Sequence, residues 1–415
     1  MEFSYDSSLA SNELRLLQPV AVNHRVLQFR TLRVPRASAP SYTAVSYTWG
    51  NAAATEVIYL DNRRFHVRPN LWSCLHYLAQ AARDAAWGYL WVDAICINQT
   101  NDAERNAQVQ LMDQTYKDAE CVSVWLGLVT LPTDIDIYSP TQAPIRTIES
   151  DGFDWMDSIV ELSNRPYWSR VWVIQEFLLG RKVELYCSNS RIDWMDYQEI
   201  LSREAGIDQF YDANGDVPQG NRRKQLTALP LVMGRHMDKH PEFLQSLCDL
   251  LVDHHRSECK DPRDRIFALL GLVTLDERAY LNTYFPDYTM TEDHVRVIAL
   301  AHVTQFPTES RMQRNLVEIT ADSEELFLGL GVGLKSKRKR LLRQAERLDY
   351  LDRVSRAQMK EILTDFDLME EYEAGGTHEH EIGGTSQERT SSRMRSVVSF
   401  MVISLLFAAW FWLQR

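Results

Sequence analysis

Residues 90–99, with the sequence LWVDAICINQ, combine a short apolar run with a polar end. Two similar β-prone runs flank this segment, at residues 43–47 (TAVSY) and residues 121–126 (CVSVWL). Stretches of helical character separate the three runs, among them residues 73–86 (SCLHYLAQAARDAA). Short buried strands that alternate with helices are typical of a parallel sheet. The sequence therefore predicts an α/β fold with one strand at residues 89–97.

The composition is that of an ordinary globular protein. Of the 415 residues, 45% are hydrophobic and 25% are charged, and 45 basic against 57 acidic residues give a net charge of −12. This charge disfavours a general electrostatic contact with nucleic acid, so no nucleic-acid partner is predicted. The six cysteines are dispersed without a CxxC pair, and the N-terminus lacks an apolar signal run. Both features indicate a reducing, cytosolic environment for most of the chain.

Residue-type patterns divide the chain into segments. Nine of the eleven tryptophans lie between residues 49 and 194, which marks one aromatic-rich domain. Asp61-Asn62 predicts the turn of an additional hairpin near residues 57–67. The predicted segments are an N-terminal arm at 1–40, the aromatic-rich domain at 41–195, a mainly helical region at 196–334, a charged helix at 335–373, a flexible linker at 374–396 and an apolar segment at 397–413.

The apolar segment begins at Val397, ends at Leu413 and carries no charge over its 17 residues. That length lies at the short end of what spans a bilayer, and flanking tryptophans and arginines are typical of membrane spans. The sequence predicts a single-pass C-terminal anchor in an intracellular membrane, with the bulk of the chain facing the cytosol. The alternative is a buried core helix, although such helices usually keep a polar face.

Polar residues occupy the end of the strand predicted at residues 89–97. Asp93 lies inside this run, and Asn98 and Gln99 follow at its tip. Ligand sites in parallel α/β sheets gather at the carboxyl ends of strands, so these three side chains are candidate site residues. The alternative for Asp93 is a structural, hydrogen-bonded carboxylate.

The next helix is predicted to start near Asn101. Glu104 and Gln108 head its inward face at one-turn spacing, which directs both side chains toward a ligand bound there. The structural alternative is a capping box, in which Asn101 caps the helix and Glu104 reaches back to the backbone.

A carboxylate continues an aromatic face in the sequence RPYWSRVWVIQE, which ends at Glu176. Trp168, Trp172 and Glu176 recur every four residues and are predicted to line one helical stripe. Burial beside aromatic rings raises a carboxyl pKa, whereas a neighbouring arginine lowers it. Glu176 is therefore either tuned for catalysis or held in a structural ion pair by Arg165 or Arg170.

Three further patterns carry less weight. His236 and His240 have helical ligand spacing but lack the glutamate of a zinc motif, so no metal site is predicted. Cys96 has the setting of a small core residue rather than a nucleophile. The basic run at residues 335–340 (KSKRKR) fits a nuclear signal, a patch for anionic lipid or a solvated helix end.

Three sequence blocks resemble the signature blocks of the fungal heterokaryon incompatibility (HET) domain in order and spacing. The resemblance spans residues 42–187 and implies a role in fungal non-self recognition and regulated cell death, with the domain as the effector. The blocks are residues 42–50 (YTAVSYTWG), residues 90–99 followed by Glu104, Arg105, Gln108, Val109, Met112 and Tyr116, and residues 170–176 (RVWVIQE).

The HET domain is remotely similar to TIR domains. Residues 44–47 (AVSY) resemble the first TIR strand, and the spacing from Trp172 to Glu176 resembles that of a TIR segment whose glutamate serves in those TIR domains that cleave NAD. This resemblance implies a flavodoxin-like parallel sheet, NAD as a substrate rather than a resident cofactor, and Glu176 as the catalytic carboxylate. The further residues implied are Ser46, Asp93 and Glu104 in support of catalysis and Trp49, Asn98, Gln99, Gln108 and Trp172 in binding.

Two classes of function remain open on the sequence. As an enzyme, the protein hydrolyses NAD once clustered. As a signalling scaffold, it self-associates or recruits a protein partner at a membrane, where tethering raises its local concentration.

Overall fold

The computed structural model describes residues 1–22, 26–81, 88–128, 161–188, 190–194, 197–198, 228, 231, 244–306, 319–348 and 355–376. The chain divides into two compact units, Met1–Arg356 and Ala357–Arg415. Among the described residues, no helix has the length and apolar character needed to cross a bilayer. The predicted membrane anchor at residues 397–413 lies outside the described residues, as does the predicted linker beyond residue 376.

The core of the first unit is one mixed sheet. Its described strands, in chain order, are β1 (Glu13–Val22), β2 (Leu27–Pro35), β3 (Thr43–Tyr47), β4 (Glu56–Leu60), β5 (Arg63–Val67), β6 (Leu90–Trp91), β7 (Cys121–Trp125), β8 (Val183–Cys187) and β9 (Ser190–Asp193). Across the sheet they lie in the order β5-β4-β2-β1-β6-β3-β7-β8-β9.

Four strands in the middle of the sheet run parallel. β3 pairs in parallel with β6 on one side and with β7 on the other, and β7 pairs in parallel with β8. Across the sheet these strands lie in the order β6-β3-β7-β8. If the four are numbered by their order along the chain, this is 2-1-3-4. Flavodoxin-like sheets begin with this order, and their ligands bind where the first and third strands diverge. The predicted α/β class with a parallel sheet is confirmed, and the carboxyl end of β3 is the expected place for a site.

Residues 1–40, predicted as an arm, contribute two strands to this sheet. β1 and β2 pair antiparallel along their length, and β1 joins the parallel strands where Leu17 lies opposite Leu90. Leu16 and Leu17 are both 0% exposed although they are consecutive, so β1 is buried on both faces. β1 has no regular alternation of polar and apolar residues, and Arg15, Gln18 and Pro19 interrupt its apolar run, so the sequence pattern did not reveal it.

The strand predicted at residues 89–97 is much shorter than expected. β6 covers only two residues, and helix α2 (Asp93–Cys96) follows directly. Ile95 and Cys96 are 0% exposed, and a short run buried on every side has the same apolar pattern in a strand and in a helix. Asp93 therefore opens a helical turn instead of lying inside a strand.

The hairpin predicted near residues 57–67 is confirmed. β4 and β5 pair antiparallel from Glu56 opposite Val67 to Leu60 opposite Arg63. Asp61 and Asn62 have φ angles of 49° and 66°, the left-handed conformation that a tight hairpin turn requires at both central positions. β4 also pairs with β2, which adds the hairpin to the outer part of the sheet.

Four helices accompany the parallel strands: α1 (Pro69–Ala81), α3 (Asp102–Val109), α4 (Met112–Asp118) and α5 (Val171–Leu179). The helix predicted at residues 73–86 is confirmed up to residue 81, and residues 82–87 lie outside the described part of the chain. The single helix expected after Asn101 is divided into α3 and α4, because Leu111 adopts a non-helical ψ of 14° between them.

Helices dominate the described residues from 244 onward. The predicted charged helix at residues 335–373 is divided into two, and the second continues to residue 376. The helices are α6 (Leu247–Asp253), α7 (Asp264–Phe267), α8 (Leu275–Leu281), α9 (Glu292–Gln305), α10 (Glu324–Gly329), α11 (Lys335–Arg347) and α12 (Arg356–Gly376).

The helices at residues 244–348 belong to the same compact unit as the sheet. Arg278 on α8 donates two hydrogen bonds, of 2.7 and 2.6 Å, to the buried carboxylate of Asp113 on α4. The backbone N–H of Tyr288 donates to Asn106 Oδ1 at 3.0 Å. The aromatic-rich domain predicted at residues 41–195 is therefore bound to later parts of the chain by specific polar contacts.

Gly329 lies where α10 packs against α6. A Cβ atom placed on Gly329 would lie 2.2 Å from the carbonyl oxygen of Leu251, a backbone atom that cannot move aside without shifting α6. We expect Gly329→Ala to lower the free energy of unfolding by about 3 kcal/mol, as measured by urea denaturation.

Gly333 provides the matched control for this prediction. No atom lies within 4 Å of a Cβ placed there, so Gly333→Ala should change the free energy of unfolding by less than about 0.5 kcal/mol. Equal stability of the two variants would contradict the proposed close approach of α10 and α6.

Candidate functional site

Ser46, Tyr167 and Glu176 form a buried hydrogen-bonded chain at the carboxyl end of β3. Ser46 Oγ donates to Glu176 Oε2, and the Tyr167 hydroxyl lies 2.7 Å from the same serine oxygen. Because a serine hydroxyl has one proton, Tyr167 donates to Ser46 when Glu176 is ionised. All three residues are at most 2% exposed. The chain of bonds thus connects β3 to α5 inside the protein.

Glu176 has the perturbed acidity of a proton-exchanging group. Burial raises the pKa of Glu176 from an ordinary 4.5 to about 7, the Arg170 charge lowers it, and the Asp93 charge raises it further. Burial also raises the pKa of Tyr167 well above 10, so its hydroxyl stays protonated. A carboxyl group with a pKa near 7 can gain or lose a proton at neutral pH, as general acids and bases do.

Asp93 is a second carboxylate of the same site. Trp49 Nε1 donates to Asp93 Oδ2 at 2.8 Å, and the N–H of Ala94 donates to Oδ1 at 2.7 Å. The pKa of Asp93 lies above its ordinary 3.8, because the effect of burial exceeds the lowering by the Arg170 charge and by hydrogen bonds from Trp49, Ala94 and Tyr47. Asp93 is therefore a hydrogen-bonded carboxylate, as its structural alternative predicts, and it also lies within electrostatic range of Glu176.

Arg170 is the cation of the site. Its guanidinium donates to the carbonyl oxygen of Tyr47, the last residue of β3. Its charge lowers the pKa of both Asp93 and Glu176. The backbone of Glu258 holds the residues on either side of Arg170: its carbonyl oxygen accepts from the N–H of Val171 at 2.9 Å, and its N–H donates to the carbonyl oxygen of Ser169 at 2.6 Å. Two carboxylates therefore share one fixed positive charge.

The predicted stripe of Trp168, Trp172 and Glu176 is wrong. Trp168 lies in a 3₁₀ turn at Pro166–Ser169, and Arg170 is extended with ψ of 135°, so α5 begins only at Val171. Trp168 packs edge-on against Phe177 at 5.4 Å between ring centroids. Trp172 instead hydrogen-bonds Asp264, whose pKa burial raises to about 6.

Glu104 is bound to the N-terminal strands and to the loop before α3. Its carboxylate accepts from Arg15 at 2.9 Å, from the N–H of Leu9 at 3.0 Å and from the N–H of Asn98 at 2.8 Å. Asn101 caps α3 by accepting from the N–H of Glu104 at 3.0 Å, as the capping alternative predicts. These bonds occupy both carboxylate oxygens and account for the burial of Glu104 without a ligand.

Gln108 also contacts N-terminal residues that flank β1 and β2. Arg36 donates to Gln108 Oε1 at 2.9 Å, and Gln108 Nε2 donates to the carbonyl of Ala10 at 3.2 Å. Gln99 contacts α2, because its Nε2 donates to the backbone carbonyl of Asp93 at 2.9 Å. Asn98 Oδ1 accepts from the Thr100 hydroxyl at 2.8 Å.

The structure thus sorts the predicted site residues into separate groups. Ser46, Asp93 and Glu176 lie together, with Trp49 and Gln99 bonded to Asp93. Glu104 and Gln108 contact the N-terminal residues Arg15 and Ala10, and Trp172 contacts Asp264. The assignment of catalytic and NAD-binding roles to these residues remains a prediction.

Sequence reasoning missed Tyr167 and Tyr47 and gave Arg170 only a structural role. Each lies within or beside a motif block, but an isolated tyrosine carries no spacing signal for catalysis. What identifies these residues is their contact with Ser46 and Asp93, which are far away in sequence.

Thiol and metal chemistry find little support among the described residues. Burial raises the pKa of Cys96 to about 12, so it stays a neutral thiol in the core. No group of three or more His, Cys, Asp or Glu side chains with metal-binding geometry occurs in the described part of the chain. His236 and His240 lie outside that part.

Comparisons with known proteins identify the domain around this site. Residues 42–176 match the family model described as "Heterokaryon incompatibility protein (HET)". This range begins just before β3, ends at Glu176 and includes every residue of the Ser46–Asp93–Glu176 group. Residues 42–176 therefore match the HET domain of fungal heterokaryon incompatibility proteins.

Two curated proteins share significant similarity with this chain. "Heterokaryon incompatibility protein 6, OR allele" from Neurospora crassa is 31% identical over 197 residues, which cover 44% of this chain and 27% of that protein. "Vegetative incompatibility protein HET-E-1" from Podospora anserina is 25% identical over 158 residues, which cover 38% of this chain and 10% of that protein. No solved structure gives a significant match.

Proposed function

We propose that this protein is an effector of fungal non-self recognition and regulated cell death, and that its HET domain hydrolyses NAD. The names of the two curated relatives support the cellular role. The observation that carries the enzymatic proposal is the buried Glu176, with a pKa of about 7, beside Asp93 and Arg170. Perturbed carboxyl groups of this kind are concentrated at catalytic sites.

The chemistry proposed is cleavage of the bond between the ribose C1′ and the nicotinamide nitrogen. The bonding electron pair leaves with neutral nicotinamide, and positive charge develops on the ribose. Ionised Glu176 stabilises that charge, as carboxylates do in glycoside cleavage. Water then adds to C1′ and releases one proton, so the products are nicotinamide, ADP-ribose and a proton.

The neighbouring residues have defined roles in this proposal. Ser46 holds the Glu176 carboxylate through its hydrogen bond, and Tyr167 fixes the serine hydroxyl. Asp93 is held in place by Trp49 and acts as the second carboxylate, which accepts the proton of the attacking water. Arg170 favours the ionised form of both carboxyl groups, because its charge partly offsets the rise in pKa that burial causes.

Access of NAD to this site requires a conformational change. Glu176 is 2% exposed and Ser46 is 1% exposed, so a substrate reaches them only after covering residues move. Arg170 and Tyr167 link the 3₁₀ turn to β3 by hydrogen bonds, and release of this turn would open the carboxyl end of β3. We propose that clustering of HET domains favours the open state.

The alternative function is a non-enzymatic scaffold that self-associates or recruits a protein partner. The burial of Glu176 favours this alternative, because a carboxyl group that a substrate cannot reach can have a purely structural role. We propose in either case that the apolar segment at residues 397–413 tethers the protein to a membrane, as its sequence predicts.

The direct test is an assay of NAD consumption and nicotinamide release by the purified chain, with and without forced clustering. Turnover that appears on clustering supports the hydrolase. A folded, clustered protein that leaves NAD intact would rule the hydrolase out and favour the scaffold.

Hydrolysis of NAD should depend on pH through Glu176. Only ionised Glu176 stabilises positive charge, and its pKa of about 7 means that the ionised fraction rises as the pH increases through neutrality. We expect kcat/KM, which reports the pKa values of the free enzyme, to rise about tenfold from about pH 6 to about pH 8 and then level off. A pH profile of nicotinamide release tests this expectation, and a rate that falls over that range would exclude the ionised form as the active one.

A further inference from the structure

Helix α11 has one buried face and one exposed, basic face. Its apolar residues Leu341, Leu342 and Ala345 are at most 8% exposed. The opposite face carries four exposed cations at positions four residues apart: Lys335, Lys339, Arg343 and Arg347. Side chains at this spacing lie one above the other along a helix, so the four cations form one stripe.

The remaining cations of α11 stabilise the fold. Lys337 and Arg340 bind Asp293 on α9 at 2.9 and 2.6 Å. Arg338 is 4% exposed and donates to the carbonyl oxygen of Val332 at 3.1 Å. These three side chains are committed to contacts within the first unit.

Lys339 and Arg343 are the cations that remain for a ligand. Within the described part of the chain, no carboxylate lies within the 4.0 Å ion-pair distance of either side chain. Lys335 pairs with Asp322 at 2.6 Å, but the two side chains are 71% and 74% exposed, and such surface pairs are weak. This basic stripe occurs in a chain whose net charge is −12.

Ser336, Lys339 and Arg343 border an open groove of about 520 Å³. Ala321 and Leu342 also line it, together with Glu346. Leu334, the residue immediately before α11, is 72% exposed. The groove thus has two cations without an ion-pair partner and a hydroxyl group on its border, and a large exposed apolar side chain immediately precedes the helix.

We propose that this face of α11 docks onto an anionic lipid surface. Lys339 and Arg343 would bind lipid phosphate and carboxylate groups, Ser336 would donate to a phosphate oxygen, and Leu334 would enter the interfacial layer. Basic residues beside an exposed apolar side chain match the charge of an anionic membrane surface and the apolar layer beneath it. This inference does not depend on NAD cleavage or on the apolar segment at residues 397–413.

Charge and shape favour lipid over other anions. Proteins that bind nucleic acid neutralise many phosphates with an extended set of Lys and Arg side chains, whereas this face offers only two cations without an ion-pair partner, beside Glu346. A soluble phosphate would find no enclosed cation, because Lys339 and Arg343 are both exposed. A membrane surface presents many anionic groups at once, which suits two exposed cations on one helix face.

Vesicle binding by the full-length chain tests the proposal. Partition is measured on phosphatidylcholine vesicles with and without phosphatidylserine, for the wild type and for the double variant Lys339→Gln and Arg343→Gln. We expect the wild type to prefer the anionic vesicles, and removal of two cations to weaken partition onto them roughly 30-fold. Partition onto neutral vesicles should not change, which separates this surface from any binding by the C-terminal segment.

The matched control removes two exposed arginines from β5 by Arg63→Gln and Arg64→Gln. This variant has the same net charge as the test variant, so it should keep the preference for anionic vesicles. An equal loss of partition onto anionic vesicles in both variants would show that the effect depends on net charge alone and would overturn the proposal. Equal partition of wild type and test variant onto anionic vesicles would overturn the proposal, as would displacement of the wild type by inorganic phosphate alone.

A second measurement applies if the C-terminal segment binds all vesicles tightly. Leu334→Cys provides a thiol at an exposed position, while the other described cysteines are buried except Cys259. Labelling of this thiol by a water-soluble reagent should slow on anionic vesicles and not on neutral ones. An unchanged labelling rate on both would show that α11 does not contact the surface.

Discussion

Replacement of Glu176 by glutamine should reduce NAD cleavage by the clustered protein at least about 100-fold. Glutamine keeps the shape of the side chain and can still accept the hydrogen bond from Ser46, but it carries no negative charge to stabilise the positive ribose. Nicotinamide release measures the effect on chemistry, and a cell-death assay in a fungal host measures its consequence. A variant that cleaves NAD at the wild-type rate would remove Glu176 from the mechanism.

The same substitution should stabilise the protein above neutral pH. From about pH 4.5 to about pH 7, native Glu176 keeps a proton that the unfolded chain has released, so the free energy of unfolding of the wild type falls as the pH rises through this range. Glutamine does not titrate, and the variant should therefore be more stable than the wild type near pH 8, by about 3 kcal/mol. Denaturant unfolding at acidic and alkaline pH measures this difference.

Glu184→Gln provides the matched control. Glu184 is also a buried carboxylate of the sheet domain, but it pairs with Lys182 at 2.8 Å. Burial raises the pKa of Glu184, yet hydrogen bonds from Lys182 and Tyr186 lower it overall. This control should lose stability at neutral pH and keep NAD cleavage. Loss of activity together with a gain in stability is thus specific to Glu176, and a general folding defect cannot produce it.

The second large effect is expected at the contact between the sheet and the later helices. Arg278→Ala removes both hydrogen bonds to Asp113, whose side chain is 5% exposed, and leaves a buried carboxylate. Removing one partner of a buried ion pair costs about 3–5 kcal/mol. Lys117 remains 3.4 Å from the same carboxylate and keeps the expected loss near the lower limit. Urea denaturation measures the change.

Lys335→Ala is the matched control, because it removes an ion pair with the same separation that is not buried. The Lys335–Asp322 pair has the same 2.6 Å separation as the shortest Arg278–Asp113 contact, but both of its side chains are exposed. This control should leave the midpoint of unfolding nearly unchanged, because exposed pairs contribute little. Equal losses in the two variants would show that burial of Asp113 is not the source of the effect.

Acid should reduce the defect of Arg278→Ala. Burial raises the pKa of Asp113, but the bonds and charge of Arg278, with Lys117, bring it below the ordinary 3.8. The stability from this pair is therefore present above about pH 4 and is lost as the pH falls through the lowered pKa. Wild type and variant should approach each other in stability at acidic pH, because both then carry a neutral Asp113.

Two contacts extend the folded unit beyond the residues that match the HET family model. The family match ends at Glu176, whereas β8, which follows that residue, pairs with β7, and Arg278 binds Asp113. The segment that matches the family model is thus smaller than the folded unit, Met1–Arg356. A fragment limited to residues 42–176 would lack β1 and β8, which pair with β6 and β7, and would remove Arg278 from Asp113.

The sequence alone determined the α/β class and two of the parallel strands, and it identified Glu176 as a candidate site residue. β3 and β7 were readable because a strand buried on both faces is a continuous apolar run, and all five residues of each are buried. The turn at Asp61 and Asn62 was readable because few residue types accept its backbone angles. The HET motif blocks carried the identification of the domain.

Tertiary structure decided which polar residues form the site. Glu104 and Glu176 looked alike in the sequence, as carboxylates on apolar helix faces, but Glu104 binds Arg15 and Glu176 binds Ser46. Ser46 and Glu176 are separated by 130 residues, and their contact arises from the packing of α5 against β3. Local patterns report which face of an element is buried, but the partner and the resulting pKa depend on groups that only folding brings together.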